Sequence, residues 1–162
     1  MSLDRLWAGW RSEYVTTAGE SDECVLCRIL ASGDDAAAHV VWRGARCAAA
    51  LNAFPYTSGH LMVMPTRHVG ELEDLDGAEA AELWSAVTDA VSALKGAYRP
   101  GGVNVGLNLG LAAGAGVPGH LHVHALPRWN GDTNFMTTAA ETRVLPEALE
   151  VSHEKVVSAW PR

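Results

Sequence analysis

The sequence predicts an α+β domain, and three observations carry that reading. Short apolar runs at residues 39–43, 47–51 and 60–64 are cut by Gly44, by Asn52-Ala53-Phe54-Pro55 and by Pro65, the punctuation of an antiparallel meander. One longer stretch, residues 76–98, repeats its apolar residues at helical spacing. Two later segments alternate with period two: Val103, Val105, Leu107 and Leu109 against Asn104, Gly106 and Asn108, then His120, His122 and His124 against Leu121, Val123 and Ala125. At 162 residues this is a single domain, long enough to bury a full core without staples.

Taken in order, Leu3, Leu6, Trp7, Trp10 and Tyr14 are spaced for a helix or an arm that packs on a partner. Residues 16–23 are polar and read as a loop delivering Cys24-Val25-Leu26-Cys27, with a short helical turn over 28–32 ended by Gly33. After the meander, Asp76 caps the long helix with Glu79 as its capping-box partner; Leu83, Val87, Ala90, Val91, Leu94 and Tyr98 form the apolar stripe, and Pro100-Gly101-Gly102 ends it. A glycine-rich connector, residues 110–119, joins the alternating strand to the histidine strand. Residues 137–162, with Pro146, Leu149 and Trp160, read as a helix or arm covering the site or a partner, with His153 on the surface.

Composition narrows the function. A formal charge of −7 leaves no broad electrostatic footprint for nucleic acid, so an anionic substrate must be held by local dipoles and a few cations. No apolar run approaches a membrane span, and Met1-Ser2-Leu3-Asp4-Arg5 lacks the pattern of a secretory signal, so the expected location is cytoplasmic. Cys24 and Cys27 are spaced CxxC, which in a reducing compartment suits metal or redox chemistry; Cys47 reads as a small buried residue.

The alternation at residues 120–125 puts three imidazoles on one strand face. An ordinary exposed face would mix Thr, Lys and Glu among them. Two chemistries remain: a metal held by three histidines with an open position, or nucleophilic catalysis by the middle imidazole with its neighbours fixing its tautomer. The connector is either a turn-rich linker or a nest of backbone N–H groups for phosphate beside the histidines. Asn52 and Asn108, at strand ends, are turn formers or ligands.

The run His120-Leu121-His122-Val123-His124-Ala125-Leu126 resembles the motif of the histidine triad (HIT) superfamily of nucleotide hydrolases and transferases. Asn52-Ala-Phe-Pro-Tyr-Thr-Ser-Gly-His60-Leu-Met-Val-Met-Pro65-Thr-Arg-His68 is similar to that family's strand segment ending in a Pro-x-x-His turn, and the likeness covers about residues 24–129. Residues 102–110 and 127–135 resemble the diadenosine tetraphosphate (Ap4A) phosphorylases of actinobacteria. The resemblance implies a HIT-like fold, a five-stranded antiparallel sheet with one long helix, pairing into a homodimer or higher homo-oligomer. It makes residues 1–162 one HIT domain with a core at 24–129, an N-terminal arm at 1–23 and an extension at 130–162.

It also implies roles. His122 would attack the α-phosphorus of a dinucleoside polyphosphate to give a nucleotidyl-histidine that phosphate or water resolves. His124 and His60 would hold that imidazole and assist the leaving group, and His120 would open the triad. Asn52 would contact a ribose, Asn108 the phosphate region, the connector at Gly114, Gly116 and Val117 the phosphates, and Trp129 would border the nucleotide. Cys24, Cys27, His68 and His120 would hold a structural zinc, the alternative being a CxxC without metal; a divalent metal would travel with the polyphosphate. Many members carry Ser or Gln just before the triad, where Ala115-Gly116-Val117 stand here. That departure bears on whether phosphate or water is the acceptor, while the resemblance to the phosphorylases implies phosphorolysis of Ap4A to ATP and ADP. Hydrolysis of dinucleoside polyphosphates or nucleoside phosphoramidates, and a nucleotide-binding signalling module, stay open beside it.

Overall fold

The computed structural model describes residues 23–132 and 147–161. Of the expected arm at residues 1–23 all but Glu23, and of the expected extension residues 133–146, lie outside the described residues. Five strands, β1 (Val40–Arg43), β2 (Cys47–Leu51), β3 (Leu61–Pro65), β4 (Gly102–Leu107) and β5 (Val123–Arg128), form one sheet in the order β1-β2-β3-β5-β4, antiparallel throughout. Among the described residues three α-helices accompany it: α1 (Val25–Leu30), α2 (Gly77–Tyr98) and α3 (Leu149–Ala159).

The period-two pattern decides which side chains meet which helix. Cys47, Ala49, Leu51, Leu61, Val63, Leu121, Val123 and Ala125 pack on α2 and on Val156 of α3. On the opposite face Val40, Ala50, Met62 and Met64 form a smaller cluster with Leu26 of α1, against which Val117 packs. His60 and His124, in phase with Met62, share that second face. Ala48, Ala49 and Ala50 are all fully buried, small enough for β2 to be covered on both sides.

The capping box is present. The Asp76 carboxylate accepts from the Ala78 and Glu79 amides, and the Glu79 carboxylate accepts from the Asp76 amide at 3.0 Å. Glu79 also takes a two-pronged ion pair from Arg67, at 2.8 and 2.7 Å, which ties the end of β3 to the start of α2. The guanidinium and the Asp76 amide hold the Glu79 carboxyl down at about 2. The helix stops where Arg99 turns left-handed (φ 47°) ahead of Pro100, a residue that disfavours helical geometry in its predecessor.

Several local expectations are corrected. The CxxC lies on the first turn of α1, with Cys24 as N-cap, rather than in a loop before a helix, because Leu26 turns inward to the Met62 and Met64 cluster. On α2, Ala86 and Ala93 take sheet-facing places and Val91 sits at the margin. Strand β1 starts at Val40 because His39 is left-handed (φ 56°), and β4 ends at Leu107, ahead of the left-handed Gly110. His153 is not surface: it is half-buried, and its Nε2–H donates to the Val40 carbonyl at 2.9 Å. Cys47 is buried as expected, its thiol pushed up to about 12 by burial and by Glu82 and Glu79.

Among the described residues no helix is long and apolar enough to cross a membrane.

Candidate active site and adjoining metal site

The histidine run divides into two centres. His120 and His122 precede the β5 ladder, which begins at Val123, whereas His124 pairs with Met62 across β3. The segment ahead of the ladder is held by the Leu121 amide donating to the Val69 carbonyl at 2.7 Å. Gly70 permits that approach, since a Cβ there would sit 2.9 Å from the Pro118 carbonyl oxygen. His68 and His120 are thereby brought edge to face, ring centres 5.3 Å apart.

At the first centre, one ligand atom each from Cys24, Cys27, His68 and His120 lie within 4.8 Å of one another. His120 Nε2–H donates to the Pro65 carbonyl at 2.9 Å, so its Nδ1 lone pair faces the sulfurs. Cys24 Sγ is 3.4 Å and Cys27 Sγ 3.5 Å from that nitrogen, and Cys27 Sγ is 3.3 Å from His68 Nδ1. A tetrahedron built on zinc–sulfur and zinc–nitrogen bonds has a sulfur-to-nitrogen edge of about 3.6 Å, so these spacings suit the ion. Two thiolates and two neutral imidazoles balance a divalent charge, and the Pro65 carbonyl is the outer partner that orients a ligating imidazole. Burial and the neighbouring Cys24 push the Cys27 thiol up, so loading a metal must displace its proton.

At the second centre, hydrogen-bond polarity fixes each tautomer. His122 Nδ1–H donates to the His120 carbonyl at 2.7 Å, which leaves Nε2 with a bare lone pair. The Tyr56 amide donates to His60 Nδ1 at 3.2 Å, so His60 carries its proton on Nε2 and donates it to His124 Nδ1 at 2.8 Å. His124 therefore presents Nε2–H, a donor beside the His122 acceptor; their rings are 4.9 Å apart and nearly perpendicular. Burial pushes the imidazoles of His120 and His122 below the usual histidine range, opposed by their carbonyl partners. His124 is pushed down to about 4, by burial first and His122 second. All three are neutral near pH 7, as a nucleophile and a hydrogen-bond donor require.

The other residues singled out in the sequence fall at differing distances from this pair. Asn52 Oδ1 accepts from the Phe54 amide at 2.9 Å, closing the turn that begins the β2–β3 loop. Asn108 Nδ2 reaches the Gly114 carbonyl at 3.4 Å, so it ties the end of β4 to the connector. The amides of Gly114 and Ala115 are committed to the Leu111 and Gly110 carbonyls. Among the described residues the amides of Gly116 and Val117 have no such partner, while the Val117 side chain is anchored in the α1 cluster. Trp129, one residue past the end of β5, packs edge-on to Tyr98, ring centres 6.0 Å apart. Tyr56 is the residue that sequence reasoning missed. Its ring centre lies 4.6 Å from that of His60 and 6.2 Å from that of His124, and an aromatic four residues before His60 was the available signal.

A triad whose middle imidazole is a buried, neutral acceptor defines a class, and the comparisons agree: residues 34–131 match the HIT domain, and the chain belongs to that family. An AP-4-A phosphorylase of Mycobacterium tuberculosis is 40% identical over 167 residues, covering 99% of this chain and 86% of its own. The asymmetrical bis(5'-nucleosyl)-tetraphosphatase of Schizosaccharomyces pombe is 34% identical over 57% of this chain and 50% of its own. Among solved structures, a zinc-bound histidine triad family protein from Mycobacterium smegmatis superposes with a TM-score of 0.68 at 27% identity, over 85% of this chain and 92% of the other.

Proposed function

We propose that the protein is a nucleotidyltransferase that cleaves dinucleoside polyphosphates through a nucleotidyl-His122 intermediate, with inorganic phosphate as acceptor, giving ATP and ADP from Ap4A. The observation that carries this is the chain of directed hydrogen bonds that leaves His122 Nε2 as an acceptor and His124 Nε2–H as a donor beside it. His122 Nε2 attacks the α-phosphorus, the bond to the departing polyphosphate oxygen breaks with its electron pair, and the neutral His124 keeps its proton while donating a hydrogen bond from Nε2–H to that oxygen. In the second half a deprotonated oxygen of inorganic phosphate attacks, the phosphorus–nitrogen bond breaks, its electron pair returns to His122 Nε2, and His124 Nε2–H again donates a hydrogen bond to the reacting group. The Gly116 and Val117 amides supply donors to the phosphoryl oxygens, and Asn108 keeps their loop in place. Asn52 lies on the ribose side, and a divalent metal accompanies the polyphosphate. The relatedness to the mycobacterial AP-4-A phosphorylase over nearly the whole chain supports the substrate.

Zinc is the fitting occupant of Cys24, Cys27, His68 and His120, where it would join α1 to the segment before β5. A homodimer is supported by β4, an edge strand with Val105 exposed beside exposed Leu109 and Leu111.

One observation favours hydrolysis instead: Ala115-Gly116-Val117 offers phosphate no side-chain donor. Product analysis of Ap4A with and without phosphate separates the two. ATP plus ADP only with phosphate is expected; ATP plus AMP at one rate in both conditions would make it a hydrolase. Failure to turn over Ap4A would reject the reading.

A further inference from the structure

We propose that the Tyr56 ring is a positioning residue: it holds the His60–His124 pair in one plane setting so that His124 Nε2–H stays aimed at the departing oxygen. This rests on the nucleotidyl-transfer reading above. His60 is fully buried, whereas Tyr56 is 40% exposed, so the phenol ring forms the layer between His60 and solvent. The ring lies at 43° to His60 and 32° to His124, against both members of the pair at once.

The backbone and the side chain of Tyr56 do separate jobs. Its amide, donating to His60 Nδ1, selects which nitrogen carries the proton. That selection does not fix the plane of either ring, because a single hydrogen bond of 2.8 Å between two imidazoles allows rotation about its own axis. His124 Nε2 lies on the far side of its ring from that bond, so a tilt of the pair swings the donor away from the reacting phosphorus. A misplacement of about 1 Å costs about a hundredfold in rate. Aromatic contact against both rings resists the tilt, and by excluding water it keeps the Nε2–H···Nδ1 bond from being exchanged for a solvent bond.

The bond changes are those of the first half-reaction. A bond forms from His122 Nε2 to the α-phosphorus, the bond to the polyphosphate oxygen breaks with its electron pair, and His124 Nε2–H, keeping its proton, hydrogen-bonds that oxygen. Tyr56 touches none of these atoms, and its effect passes through His60 and His124.

The test uses the intact chain with Tyr56→Ala and Tyr56→Phe, each alone and combined with His60→Ala, assayed on Ap4A. Truncation to Ala keeps the amide and removes the ring. Tyr56→Ala is expected to lower kcat about 10- to 100-fold, less than the loss of a whole transition-state hydrogen-bond donor, with KM changed less than about twofold. Tyr56→Phe should restore most of kcat, and in the His60→Ala background the Tyr56→Ala loss should vanish, since there is no longer a pair to align. A raised KM with kcat intact would make the ring a substrate contact; additive losses, or a Phe variant as impaired as Ala, would equally overturn the proposal. Nitrogen-15 NMR of the imidazoles gives a readout independent of turnover. The His60 Nε2 proton should be slow to exchange in the wild type and in Tyr56→Phe, and fast in Tyr56→Ala. A proton equally protected in Tyr56→Ala would contradict the positioning role. A wild type inert on Ap4A but showing this NMR pattern would overturn the proposed reaction and leave the ring's hold on the pair standing.

Discussion

His120 and His122 stand two residues apart on one face of one segment, yet they carry their protons on opposite nitrogens. His120 gives Nε2–H to the Pro65 carbonyl and turns Nδ1 toward two sulfurs. His122 gives Nδ1–H to the His120 carbonyl and turns Nε2 toward the open side. What gives the two imidazoles opposite tautomers is thus the carbonyl each ring meets, and those carbonyls come from β3 and from the run itself. One residue serves both centres, because His120 contributes its ring to the first and its backbone oxygen to the second.

The largest expected effect breaks one centre and spares the other. His122→Ala should lower kcat for Ap4A by about a thousandfold or more, while zinc measured by atomic absorption stays near one per chain. Parallel loss of zinc would mean that the two centres are not separable. The reciprocal change, Cys24→Ser with Cys27→Ser, should release the metal and lower the melting temperature by roughly 5–10 °C, treating the site as a cross-link worth about 2–4 kcal/mol. An unchanged melting curve would show that the CxxC holds nothing. His60→Gln, which keeps a side-chain donor for His124 Nδ1, should lose less kcat than His60→Ala, with about tenfold between them, measured at saturating substrate.

A pH series sharpens the comparison further. His124 has a folded value of about 4 against an ordinary 6.5, so between those values the unfolded chain binds more protons than the folded one. Stability should therefore fall as pH drops from 6.5 toward 4, with the full penalty present below 4 and none above 6.5. His124→Gln should flatten that segment of the curve in urea melts at stepped pH. Smallest of all, Asp76→Ala removes the helix cap far from both centres and should cost about 1 kcal/mol with kcat unchanged.

Much of this was legible beforehand because it depends on local periodicity. Leu121, Val123 and Ala125 alternate with the histidines and do face α2, and Asp76 with Glu79 does form the capping box. The first four strands match the apolar runs to within two residues, the shifts falling at His39 and before Gly110, which adopt positive φ, whereas β5 begins at Val123, three residues past His120, because the Leu121 amide bonds the Val69 carbonyl. The grouping of Cys24, Cys27, His68 and His120 followed from resemblance, and the structure draws their ligand atoms together. Tautomers were not legible: they depend on carbonyls and amides brought in from distant segments, such as Pro65 to His120 and Tyr56 to His60.

The most direct test of the central claim is to stop Ap4A turnover in rapid-quench flow with alkali, which preserves phosphorus–nitrogen bonds, and map the labelled nucleotide on the protein. One nucleotidyl group per active chain is expected, bonded to Nε2 of His122 and lost on adding phosphate. Label on Nδ1, label on another histidine, or turnover with no protein-bound nucleotide at the earliest times would contradict it.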